Sequence, residues 1–168
     1  MSNLNQLTAV EAARLIRDGQ VSSEELVQDC LNRIEDVDGT VQAWTHLNAG
    51  YALEQAKASD TFRRSGAPIG PLHGVPVGVK DIFDTFDYPT EYGSPIPKDR
   101  KTAEDATAVV PPREAGATAL GHTETAESAA PPPRQSTTPH HAPPPPGGPR
   151  TAPRPCGASC TPPRAPRP

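Results

Sequence analysis

Apolar residues recur at three- and four-residue steps through the first part of the chain. Val10, Ala13, Leu15 and Ile16 form a short stripe closed by Gly19, and Leu26, Cys30, Leu31, Ile34 and Val37 form a longer one closed by Gly39. Each stripe opens on a capping box, Thr8 with Glu11 and Ser22 with Glu25. There the hydroxyl can accept from the N–H three residues on, and the glutamate can reach back to the cap's own N–H. Two amphipathic helices joined by so short a link predict a helical hairpin. Val41–Leu47, with Trp44 and Thr45, reads as a short strand, and Ala49–Arg64 has the Ala, Leu, Glu, Gln and Lys content of a third helix ending near Gly66.

The period then changes. Gly66–Gly74 is too rich in Gly and Pro for regular structure. It leads into Val75-Pro-Val-Gly-Val-Lys80, where the valines alternate with Pro, Gly and Lys. Period two puts the valines on one face of a strand and Lys80 on the other. Asp81–Tyr92 reads as loop and Tyr92–Pro95 as a turn; a helix is expected over Ala103–Ala115 and a short strand at Thr118–Leu120. Pro111 and Pro112 fall inside that last helix, where a proline costs about 3 kcal/mol. Either the helix breaks at Val110 or these residues are not what the fold was built around. Alternating helices and strands indicate the α/β class, a sheet with helices packed on it.

After Leu120 the pattern stops, for no Val, Ile, Leu, Met, Phe, Trp or Tyr follows it. Residues 131–168 hold 15 of the 23 prolines. Ordering a backbone costs roughly 1–2 kcal/mol per residue, which a segment without large apolar side chains cannot offset. Residues 128–168 are therefore expected to be a disordered Pro/Arg-rich tail. That tail holds five arginines and no Asp, Glu or Lys, so with −4 for the whole chain the first 127 residues carry −9. Cys30 lies in a helical pattern and Cys156 and Cys160 in the tail, which is no disulfide framework. Neither a basic leader nor a membrane-length apolar run is present, and a cytoplasmic, soluble protein is expected.

Gly70-Pro-Leu-His-Gly-Val-Pro-Val-Gly-Val-Lys-Asp-Ile-Phe-Asp84 is similar to the G-P-L-x-G-(V/I)-P-x-x-(V/I)-K-D segment of amidase-signature hydrolases. The Leu-Thr-Ala-x-Glu helix start, Thr90–Ser94, Glu104–Ala106, Arg113–Ala117 and Leu120-Gly121 follow in the family's order, and the likeness covers residues 4–127. The resemblance implies an α/β fold with a mixed sheet under helices, of which this chain holds the N-terminal part: the helical hairpin and the first strands. It further implies hydrolysis of a carboxylic amide to acid and ammonia through an acyl-enzyme, by a serine, a second serine held by a cis peptide bond, and a lysine base. Of these only the lysine maps here, onto Lys80. Without the family match, a lysine at a strand end is usually a solvated surface charge. A lysine takes a proton from serine only when neutral, and its free pKa is about 10.4, so it needs desolvation. A valine-rich strand leading into a packed interior suits that, whereas Asp81 and Asp84 would oppose it by favouring the charged form.

The likeness decays after Thr125. Where the family has a Gly-Gly-Ser-Ser-Gly-Gly-Ser-like segment, Gly147-Gly148 is followed by Pro149-Arg-Thr151, and Ser159 has other neighbours. His122 stands where the family often has lysine. No nucleophile and no cis serine can be assigned, so an inactive fragment is expected. The tail resembles GC-rich coding DNA read out of frame. Other readings of the tail carry less. Pro143–Pro146 could form a polyproline II ligand for SH3 or WW domains, which would make the chain a non-catalytic adaptor. His140, His141, Cys156 and Cys160 lack the spacing of a metal site. Arginines without aromatics in an acidic chain argue against nucleic acid. The expected partner is a small-molecule amide substrate, with no membrane and no cofactor; the oligomeric state stays open. The wording of residues 81–87 and 91–94 resembles a stand-alone bacterial amidase more than a tRNA-dependent one.

Overall fold

A computed structural model describes residues 4–130. The proposed tail features at residues 131–168 lie outside the described residues. After a 3-10 turn at Leu4–Gln6 come α1 (Ala9–Arg17), α2 (Ser23–Val41), β1 (Trp44–Leu47), α3 (Ala49–Arg64), β2 (Pro76–Lys80), α4 (Val110–Glu114) and β3 (Thr118–Thr123). A second 3-10 turn follows at Glu127–Ala129, where the tail was expected to have begun. The class is α/β, as expected, with a small mixed sheet. The sheet order is β1-β3-β2, with β1 antiparallel and β2 parallel to the central β3.

Both capping boxes form, with hydroxyl and glutamate bonded reciprocally. The first turn of α2 is satisfied completely. The Glu25 N–H donates to Ser22 Oγ, and the Ser23 and Glu24 N–H groups donate to the two carboxylate oxygens of Asp60 at 2.8 and 3.0 Å. Asp60 comes from the buried side of α3 and so locks α3 to the start of α2. Ser23 Oγ donates to the Gly74 carbonyl at 2.7 Å, which ties the hairpin to the entrance of β2.

Helix α2 separates two apolar clusters. On one side Ala12, Ala13, Ile16, Leu26 and Val75 pack together; on the other Val27, Leu31, Ala52, Ala56 and Leu120 do. Alanines make up four of these ten positions, so the elements approach closely but each side chain removes little apolar area from water.

Four expected boundaries change, the first being the strand expected from Val41, which starts at Trp44 because Val41 is still in α2. Helix α2 runs through Gly39 and stops at Gln42, which takes the left-handed C-cap conformation (φ 54) and donates its N–H to the Asp38 carbonyl. The helix expected over Ala103–Ala115 is only Val110–Glu114. Its prolines stand in the first turn, where no intrahelical donor is needed, and so they start the helix rather than break it. The strand expected to end at Leu120 continues to Thr123, because His122 and Thr123 pair with both neighbouring strands.

Candidate functional site

Lys80 closes β2, paired with Thr123 of β3. Alternation along the strand holds: Val77 and Val79 are half-buried, while Gly78 and Lys80 are exposed. Lys80 does not enter a packed interior within the described residues, and that expectation is corrected. The valine face packs inward, and the lysine occupies the opposite, open face.

The two acids of the Lys80–Asp84 segment turn elsewhere. The Asp81 carboxylate is fully buried, accepting from the Glu91 N–H at 2.9 Å and the Gly93 N–H at 3.1 Å. Its Oδ1 also lies 3.2 Å from His122 Nδ1. His122, fully buried at the end of β3, sets Nε2 2.9 Å from Thr85 Oγ1. Burial pushes its pKa below the ordinary 6.5, while the hydrogen bond to Asp81 acts in the opposite sense. The geometry suits an Nδ1–H tautomer, in which Nδ1 donates to an ionised carboxylate, which only accepts, and Nε2 is left to accept from the threonine hydroxyl.

Asp84 takes Arg100 through both oxygens at 2.6 and 3.0 Å and the Tyr92 hydroxyl at 2.8 Å. The Arg100 bond holds its carboxyl below the usual range. Arg113, from α4, reaches Asp87 at 2.7 Å and Asp105 at 2.6 Å, so the irregular 81–109 excursion is pinned at two points.

That excursion leaves a cleft of about 350 Å³ lined by Thr45, Glu91, Gly93, Ser94, Pro95, Lys98 and Glu124. Thr45 Oγ1 donates to Glu124 at 3.1 Å, Ser94 Oγ donates to Glu127 at 2.7 Å, and His46 Nε2 lies 3.6 Å from Glu91. Lys80 is not among the lining residues. Among the described residues no group of three or more His, Cys, Asp or Glu side chains could hold a metal, and no helix is long and apolar enough to cross a membrane.

The buried Asp81–His122–Thr85 arrangement was not legible as a unit in the sequence, since 41 positions separate Asp81 from His122. One signal was available. A histidine following Thr118-Ala-Leu-Gly121 in a strand buried along its length must find a partner.

The Amidase family model matches residues 25–160, beyond the point where the described residues end. The chain is 43% identical over 129 residues to a Glutamyl-tRNA(Gln) amidotransferase subunit of Thermobifida fusca (77% of this chain, 26% of the relative). It is 39% identical over 126 residues to the putative amidase AmiD of Mycobacterium tuberculosis strain H37Rv, covering 75% and 26%. Among solved structures, the native peptide amidase of Stenotrophomonas maltophilia superposes with a TM-score of 0.66 at 33% identity, over 73% of this chain and 25% of that one. A fatty acid amide hydrolase, at 24% identity and a TM-score of 0.68, shares the fold. The chain thus spans about a quarter of the length of these relatives. Its hairpin, its mixed sheet and its Gly70–Asp84 run point the same way as these matches, and the chain belongs to the amidase family.

Proposed function

We propose that residues 4–127 are the N-terminal part of an amide-hydrolysing domain in which Lys80 is the general base of a Ser–cis-Ser–Lys apparatus. The supporting observation is the placement of Lys80. It ends a strand whose partner is the central β3, on the exposed face, while both nearby carboxylates are engaged with other groups. A base in that position is available to a serine brought over the open face, and cover by further chain would supply the desolvation a neutral lysine needs. The substrate class is a carboxylic amide small enough to enter a buried acyl-transfer site. The wording of residues 81–94 favours a stand-alone amidase, while the higher identity to an amidotransferase protein favours the tRNA-linked branch. A panel of simple amides and glutamine separates the two in a protein that carries the serines as well.

This chain by itself is expected to be inactive, because no serine stands in the family's positions and the oxyanion donors that go with them are not recognisable. Purified protein should release ammonia from such a panel no faster than buffer. Hydrolysis that disappears in Lys80→Ala would refute inactivity and establish the base.

We read residues 128–168 as the product of a shifted reading frame, supported by their Pro/Arg/Ala/Gly composition. The match of the family model as far as residue 160 weighs against this. Translating the other two frames past codon 127 decides it, and absence of a glycine–serine segment there sinks the idea. The adaptor alternative rests on Pro143–Pro146; a proline-ligand array that captures no SH3 or WW domain removes it.

A further inference from the structure

Tyr92 and Gly93 both take left-handed backbone conformations (φ 54 and 65). Glycine does so freely, but a tyrosine does not, so something outside the turn must hold it. Asp81 is the holder. Both oxygens of its carboxylate bind N–H groups on either side of Tyr92, those of Glu91 and Gly93. The carboxylate is itself held by His122, which is braced by Thr85, and all three side chains are fully buried. From the opposite side, a Cβ on Gly93 would stand 2.5 Å from the Thr125 carbonyl, so the turn is pressed against the chain leaving β3. Glu91, Gly93 and Ser94 line the cleft.

We propose that Asp81 and His122 are positioning residues. His122 Nδ1–H orients the Asp81 carboxylate, which fixes the Glu91–Ser94 turn as a wall of the cleft and keeps its own charge away from the open face where Lys80 lies. The backbone supports the second half of this role. The Asp81 N–H donates to the Thr123 carbonyl at 3.0 Å, immediately after the Lys80–Thr123 pair, so burying the Asp81 side chain leaves Lys80 on the other side of the strand. The relevance to catalysis rests on the reading of Lys80 as a base, but the geometry does not.

Two substitutions of similar size separate orientation from mere packing. In His122→Asn the amide nitrogen can stand where Nδ1 does and donate to Asp81, while His122→Gln places it nearer Nε2. Amide hydrogen exchange of Glu91 and Gly93 in the full chain should stay within about threefold of wild type in His122→Asn. It should accelerate about tenfold or more in His122→Gln and in Asp81→Asn, the scale of losing one charge-assisted bond. Exchange of the β2–β3 amides serves as the internal reference. In the wild-type protein, the nitrogen-15 shifts of the His122 ring should report the Nδ1–H tautomer. The Nε2–H tautomer, or equal exchange of the turn in His122→Asn and His122→Gln, would overturn the proposal. Should a variant fail to fold, the wild-type tautomer alone decides. A chain that hydrolyses no amide yet shows this tautomer and this exchange pattern keeps the positioning role and says nothing against it.

Discussion

At the scale of single residues, the buried polar groups carry the sharpest consequences. The folded pKa of His122 lies below its ordinary 6.5, with desolvation the largest cause. Its contribution to stability is therefore fully present above that value. It is lost as pH falls from there through the lower folded value, because the unfolded chain takes up the proton first. The groups facing the imidazole include Asp81, Thr85, Tyr88, His46 and Asp87, and Asp84 also feels its charge. Thermal midpoints measured from pH 8 to pH 5 should fall across this window in the wild type and flatten in His122→Asn. Asp84 acts lower still. Arg100 depresses its pKa below 3.8, so its contribution persists above that value and goes only as pH drops through the depressed one. Asp60 gives a prediction about helix capping. Asp60→Ala orphans two first-turn N–H groups of α2 and should cost about 1–3 kcal/mol in urea denaturation.

At the scale of elements, the local signals were read well wherever the deciding partners lie close in sequence. Thr8 with Glu11, and Ser22 with Glu25, mark the helix starts, because a capping box is closed within four residues. Asp60 completes the same cap from 37 positions away, and no local pattern points to it. The Pro111-Pro112 pair shows the converse error. Read against a long helix it is a break, but in a five-residue helix it is the start. Pro111→Ala should therefore change stability by no more than about 1 kcal/mol, whereas a mid-helix proline would be worth about 3. Chemical denaturation distinguishes the two. Strand β3 is less tolerant. A Cβ on Gly121 would collide with the His46 carbonyl across the β1–β3 ladder. Gly121→Ala should cost about 1–3 kcal/mol, the scale of overpacking, and raise amide exchange in β1 before β2.

For the whole molecule, the described residues expose several large apolar side chains: Ile96 at 88%, Val10 at 79% and Phe86 at 52%. Together with an alanine-rich core this predicts a modestly stable unit that binds hydrophobic dyes. Val10→Lys with Ile96→Lys should lower dye binding while shifting stability by less than about 0.5 kcal/mol, since neither side chain is packed. The candidate site follows the same division. The place of Lys80 at the end of a strand was legible because period two and a contiguous Gly70–Asp84 run mark it, and both are properties of neighbouring residues. Its exposure, the inward turn of Asp81 and the outward pairing of Asp84 were not legible. They depend on which strand lies beside β2 and on where the 81–109 excursion folds back.

The sequence by itself determined the helical hairpin, the strand that carries Lys80 and the α/β class, because each rests on spacing within a few residues, while the family came from the resemblance of residues 4–127 taken together. Only the tertiary structure decided that β3 stands between β1 and β2, that Asp60 caps α2, and that Asp81, His122 and Thr85 meet in the interior. The reason is physical. A buried polar group takes whichever partner the packed chain brings within hydrogen-bond reach, and chain distance places no limit on that choice.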